Sequence, residues 1–164
     1  MIRSMLYATD LGLYAPYVLQ HALALARTFG AELHVIHVVE PMGLFAESLL
    51  QSYLAEDVLR ELHSAGVNSV IEGIEQQVLC SFRDELGEGN ADLQLIRSVR
   101  VVQGDPSRVI LEQGQKLQVD LLVVGSHSHG ASGDTPIGRT AARVLQLSEV
   151  PVYMVPMLQH RSRD

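Results

Sequence analysis

Short apolar runs alternate along this chain with longer amphipathic stretches. Met5-Leu6-Tyr7-Ala8-Thr9 is an apolar run that stops at Asp10 and predicts a first strand. After the turn-like Leu11-Gly12-Leu13, the residues Val18, Ala22, Leu25 and Phe29 recur at helical spacing, and Leu19, Leu23 and Ala26 widen the stripe. Pro16 suits the first turn of that helix, where a missing N–H costs nothing. Gly30 supplies its stop. Glu32 to Val39, rich in β-branched residues, reads as a second strand. Residues 3–39 therefore form a β-α-β unit, with neighbouring parallel strands joined by a right-handed crossover.

The same alternation continues. Glu40-Pro41-Met42-Gly43 is turn chemistry, and Leu50, Tyr53, Leu54, Val58 and Leu62 mark a helix ending at Gly66. Val67, Val70, Ile71, Ile74, Val78, Phe82 and Leu86 mark another, with Asn68 as its expected cap and Gly87-Glu88-Gly89-Asn90 as its end. Ser98 to Val102 is the third strand. Asp105-Pro106 is an N-cap and first-turn pair, opening a helix through Val109, Ile110, Gln113 and Leu117. Val119 to Val124, apolar apart from Asp120, has the composition of a central strand covered on both faces. A helix from Gly138 to Ser148 and a last strand, Pro151 to Val155, complete the order. Five strands alternating with helices define an α/β protein with a parallel sheet. The residues from Met157 onward read as a frayed tail.

Composition narrows the function. A chain of 164 residues with a hydrophobic fraction of 47% and a charged fraction of 19% suits one globular domain, 1–164. The formal charge of −7, with Lys116 the sole lysine, excludes a protein that binds nucleic acid through a basic surface. No apolar run approaches the roughly 20 residues of a membrane helix. The first residues reach Asp10 too soon for a secretory signal, so the expected location is cytoplasmic. Cys80 is the only cysteine, which excludes an intrachain disulfide; its place beside a helical stripe predicts a partly buried, inert residue.

The candidate chemistry lies after the fourth strand. Leu121-Leu122-Val123-Val124 runs into Gly125-Ser126-His127-Ser128-His129-Gly130, and helix-forming sequence follows Gly138-Arg139-Thr140. A buried strand, a small polar loop and a helix start place backbone N–H groups where a phosphate can sit. His127 and His129 form a His-x-His pair with no third metal ligand in view, so no metal is assigned. The Gly-x-Ser-x-Gly elbow of a Ser-His-Asp hydrolase is absent. His34 and His37 fall on opposite faces of one strand and cannot share a site. Asp10, at a strand end, suits either a ribose hydroxyl or a turn cap.

Taken together, Ala8-Thr9-Asp10, His37-Val38, Gly104-Asp105-Pro106, the Gly125 loop and Val150-Pro151-Val152 resemble the universal stress protein family over residues 2–156. The resemblance implies a flavodoxin-like (adenine nucleotide alpha hydrolase-like) open five-stranded sheet of order 3-2-1-4-5, with helices on both faces. It implies a ligand site at the switch point between strands 1 and 4, a location that also follows from the general rule for open α/β sheets. Many members bind ATP through a glycine, two residues, a second glycine, nine residues, and a third glycine followed by serine or threonine. Others lack the motif and do not. Here Gly125 and Gly138 match the first and third glycines, but Ser128 stands at the second, and Arg139 at the hydroxyl position, with Thr140 one place late.

The resemblance thus implies a nucleoside framed by Ala8, Thr9, Asp10 and Val38, and phosphates framed by Gly125, Ser126, His127, Ser128, Gly130, Gly138, Arg139 and Thr140. The ligand is ATP or AMP, with Mg²⁺ accompanying ATP, and the protein is a sensor or signalling module and not primarily a catalyst. Ser128 is compatible with the loop at negative φ, where its hydroxyl can donate to a phosphate; at positive φ it adds strain of order 1 kcal/mol. Arg139 can grip a phosphate bidentately or fill its place. Asp134 in the same loop repels a triphosphate unless it helps to hold a metal. The alternatives are an ATP-independent interaction module with a degenerate loop, and a slow nucleotide hydrolase. The apolar edge strand Val152–Val155 predicts a twofold homodimer, which the family also forms.

Overall fold

Strand β1 (Ser4–Ala8) occupies the middle of the sheet, between β2 (Glu32–Val39) and β4 (Leu121–Gly125). Outside them lie β3 (Ile96–Gln103) and β5 (Val152–Val155), giving the order 3-2-1-4-5 with all neighbours parallel. In this computed structural model the described residues are 1–41, 52, 55–57, 67–87, 89–127 and 137–156. Their helices are α1 (Ala15–Phe29), α2 (Val67–Leu86), α3 (Pro106–Lys116) and α4 (Arg139–Leu147). The expected helix over Leu50 to Leu62 and the tail from Met157 lie outside the described residues.

The unbroken apolar runs of the central strands serve two cores. Side chains alternate along a strand, so Met5, Tyr7, Leu33, Val35, Leu121 and Val123 pack with Val18, Leu19, Ala22 and Leu23 of α1 and with Val78 and Phe82 of α2. The alternate set, Leu6, Ile36, Leu122 and Val124, packs with Val109 and Ile110 of α3 and with Ala141 and Val144 of α4. Each such side chain contributes roughly 1.5–3 kcal/mol when taken out of water. Covered faces, not alternation, are what the sequence of a parallel strand records.

The punctuation behaves as its chemistry requires. Gly30 takes φ 64° at the end of α1, and Pro16 sits in the first turn. Asp105 caps α3 by accepting from the Arg108 N–H at 3.1 Å. That bond, then one from the Ser107 hydroxyl, hold the Asp105 carboxyl below the usual carboxylate range. Gly138 caps α4.

Four expectations are corrected. Asn68 lies inside α2, which already includes Val67, so it does not cap that helix. Cys80 is exposed: the buried pair Val78 and Phe82 defines the inner face, and two residues turn a helix by about 200° from Val78. Asp120 is not a strand residue. It precedes β4 and accepts the N–H groups of Arg3 (2.8 Å) and Ser4 (3.1 Å), joining the amino ends of two central strands. Those two bonds, the Arg3 bond first, lower its pKa. A 3₁₀ turn, Ala91–Leu95, also precedes β3, which begins at Ile96 and not at Ser98.

Candidate functional site

The crossover from β1 leads through α1 to β2 on one side, and the crossover from β4 leads through α4 to β5 on the other. The two departing connections leave a crevice at the carboxyl ends of β1 and β4, as in other open α/β sheets. A pocket of about 410 Å³ opens there. Ala8, Thr9, Asp10, Val38, Gly125, Ser126, His127, Gly138, Arg139 and Thr140 all line it. Every described residue nominated from sequence is therefore in one place; Ser128 and Gly130 lie outside the described residues, as do His129 and Asp134.

The β1 side of the pocket is held by side-chain hydrogen bonds. Thr9, 5% exposed, accepts the Leu11 N–H through Oγ1 at 3.1 Å. The Tyr7 O–H donates to the Ala15 carbonyl at 3.1 Å. Burial pushes the Tyr7 phenol up, so it stays neutral and serves as a structural donor. Asp10 accepts from the Gly12 N–H through Oδ1 at 2.8 Å, an Asx turn that uses one of its two carboxylate oxygens. These short-range bonds hold Leu11 at φ 57°, a left-handed conformation that costs a non-glycine residue roughly 1–2 kcal/mol. The turn role of Asp10 is thus present in the fold, and among the described residues its carboxylate accepts no other hydrogen bond.

The β4 side is built by close backbone approach. The Gly138 N–H donates to the Ser126 carbonyl at 2.6 Å, pulling the start of α4 against the loop that leaves β4. A Cβ on Gly138 would stand 2.9 Å from that carbonyl oxygen and 3.4 Å from the His127 Cα. Gly138 has φ −70°, so the position needs glycine for space and not for a left-handed backbone. Gly125 likewise has no positive φ, and a Cβ there would meet Val18 at 3.3 Å. At neither position does the fold use a left-handed backbone.

Charge divides the pocket in the same way. Arg139 opens α4, exposed, at a helix start where Gly138 provides no side-chain cap, so the first N–H groups and the positive helix end stand beside a guanidinium. Asp10 and Glu40 line the pocket from the β1 and β2 ends. Ser126, 4% exposed, shares a hydrogen bond of 3.0 Å with His127 Nδ1. Among the described residues no group of three or more His, Cys, Asp or Glu is placed to hold a metal ion. No helix among them is long and apolar enough to cross a membrane.

Sequence reasoning missed His37, Tyr14 and Glu40 as pocket residues. The available signal was position: His37 and Glu40 flank Val38 where β2 ends, and Tyr14 precedes α1.

The architecture is that of a flavodoxin-like protein with a crevice at the switch point. A model of the universal stress protein family matches residues 1–156, and the chain belongs to that family. It is similar to universal stress protein YxiE of Bacillus subtilis (strain 168), with 27% identity over 156 residues, covering 94% of this chain and 99% of that protein. Among solved structures, hypothetical protein MJ0577 matches with a TM-score of 0.70 at 21% identity, over 97% of this chain and 99% of its own. UspA from Lactobacillus plantarum gives 0.61 at 16% identity, over 94% and 97%. A universal stress protein in complex with cAMP gives 0.59 at 23% identity, again over 94% and 97%.

Proposed function

We propose that this protein binds an adenine nucleotide, ATP or AMP, at the β1/β4 switch point and acts in the cytoplasm as a stress sensor or signalling module. The observation that carries this reading is the pocket itself, which gathers Ala8, Asp10 and Val38 at one end and Gly125, Gly138, Arg139 and Thr140 at the other. Its volume of about 410 Å³ lies within the range of small-molecule sites. The α4 amides and Arg139 suit phosphate oxygens, and the second oxygen of Asp10 suits a ribose hydroxyl. Likeness to a protein solved with cAMP, itself an adenine nucleotide, supports the ligand class. With ATP, Mg²⁺ would enter on the phosphates. Calorimetric titration of the purified protein with ATP and AMP, Mg²⁺ present, is expected to give saturable binding. No saturable binding of either overturns the reading. Mass spectrometry of the denatured protein for co-purified nucleotide is an independent check.

One observation favours the second reading, an ATP-independent interaction module. Arg139 lines the pocket and stands where the ATP-binding pattern implied by the family resemblance has a serine or threonine. If Arg139 occupies the phosphate place, Arg139→Ser creates or strengthens ATP binding; as a ligand, its replacement weakens it.

The same reading includes a homodimer through β5. This strand is a sheet edge. The carbonyls of Pro151 and Val155 accept from Leu122 and Ser126, so the alternate residues Val152 and Met154 turn their backbone groups away from β4. A second copy pairing there would cover an apolar edge. Met154→Pro removes an outward N–H without breaking the internal ladder. Sedimentation is expected to show a dimer for the natural protein and a monomer for this variant; a monomer for both overturns the interface.

A further inference from the structure

We propose that Glu75 closes the β3 edge of the sheet to strand pairing, so that copies of this chain join only through β5. The closure of β3 stands on its own geometry; the number of copies that then assemble rests on the β5 reading above.

An acidic residue stands where the packing pattern calls for an apolar one. Glu75 precedes Val78 by three residues and Phe82 by seven, so all three lie on one stripe of α2. Val78 and Phe82 are buried against the sheet, and Ile74 packs beside them. A glutamate on such a stripe is uncommon unless its carboxylate has a partner. Here the partner is backbone. Glu75 Oε1 accepts the Val101 N–H of β3 at 3.2 Å, and Val101 is itself only 5% exposed.

The direction of that N–H decides what the bond does. The Gly104 N–H donates to the Val39 carbonyl at 3.0 Å, so it faces β2, and backbone groups alternate in direction along a strand. Val101, three places earlier, therefore turns its N–H away from β2, to the side where the described sheet has no further strand. An outward N–H on an edge strand is the donor that a strand from a second copy would use. At Val101 the carboxylate already fills the acceptor's place, and an incoming carbonyl would meet a negative group as well. β5 is different. Among the described residues no backbone or side-chain group accepts the outward N–H groups of Val152 and Met154. One edge of the sheet is plugged and the other is not.

A chain with one pairing edge stops at two copies, whereas a chain with two such edges adds copies in a row. Glu75→Ala removes the plug and suits a helix. Glu75→Gln keeps an oxygen for the Val101 N–H and loses the charge. Sedimentation over a range of concentrations is expected to give Glu75→Gln the mass of the natural protein. Glu75→Ala is expected to form larger species that increase with concentration. In Glu75→Ala/Met154→Pro, with β5 blocked, growth should stop at two copies. If the natural protein is a monomer, the β5 reading fails alone, and Glu75→Ala should then also stop at two. Hydrogen exchange is read at the Val101 amide, at concentrations too low for association. It is expected to be at least ~10-fold faster in Glu75→Ala than in the natural protein, the worth of one bond to a charged acceptor. An unchanged mass for Glu75→Ala at every concentration overturns the proposal, as does equal exchange at Val101. Growth in Glu75→Gln as well assigns the effect to charge and overturns the plug. Growth beyond two copies in Glu75→Ala/Met154→Pro assigns it to another surface and overturns the proposal too.

Discussion

The two sides of the switch-point pocket are built by different means. On the β1 side, Thr9, Asp10, Tyr7 and His37 hold the backbone with side-chain hydrogen bonds, including a contact 28 residues apart in sequence between His37 and Thr9. On the β4 side, backbone meets backbone, and Gly138 is accepted against the Ser126 carbonyl because it has no side chain. The first construction orders polar atoms at fixed positions, which suits discrimination among ligands. The second brings amide groups and a helix end close together, which suits an anion that needs charge and little shape. One pocket thus has a hydrogen-bonded end and a close-packed end.

The largest expected effect comes from breaking the close-packed end. Gly138→Val drives a branched side chain into the Ser126 carbonyl and the His127 backbone. Over-packing of this kind costs about 1–3 kcal/mol, and displacing the α4 start should weaken ATP binding at least ~100-fold. Thermal melting and calorimetry together separate the two losses. An unchanged ATP affinity would mean that the anion does not sit against α4.

A smaller effect is expected at the hydrogen-bonded end. Thr9→Val preserves shape but takes the acceptor from the Leu11 N–H. The cost should be about 1–2 kcal/mol in denaturant unfolding, with a several-fold loss of AMP affinity. If affinity falls as far as in Gly138→Val, the two ends are not separable and the comparison fails.

Acid titration tests a region outside both. Asp120 lies at the opposite end of the strands, and its carboxyl is held below its ordinary value of 3.8 by the Arg3 and Ser4 N–H groups. A folded-state pKa depressed in this way means that the unfolded chain takes up protons first. The stabilisation is present above about pH 4 and is lost as pH falls through the folded-state value. Asp105 adds a contribution of the same sign. Asp120→Asn should flatten the acid limb of melting temperature against pH while leaving nucleotide affinity unchanged. The smallest effect is expected for Tyr153→Phe, which removes a 3.0 Å contact with His21 Nδ1. A loss of about 0.5 kcal/mol or less is expected by denaturant unfolding.

Much of this was legible in the residues, and the failures have a common cause. Apolar runs, the Gly30 stop and the Asp105-Pro106 start report local conformational preference, so β2 and α3 emerge close to their expected bounds. Asn68, Cys80 and Asp120 were misread because a side chain's role depends on what faces it. Asn68 has cap chemistry, but the helix already includes Val67. Asp120 read as a polar exception in an apolar strand because its partners, Arg3 and Ser4, come from the other end of the chain.

What the sequence by itself determined is the alternation of strand and helix, the family, and the set of strand-end residues that meet at the crevice. Hydrophobic periodicity and turn chemistry are local, and an ordered set of motifs survives without knowledge of distance. Tertiary structure decided how those residues are used. It showed that Gly138 is glycine for clearance, and gave Asp10 a turn bond as well as a place in the pocket. It also brought His37, read at first only as a strand residue, to the Thr9 carbonyl, where a through-space hydrogen bond fixes its tautomer.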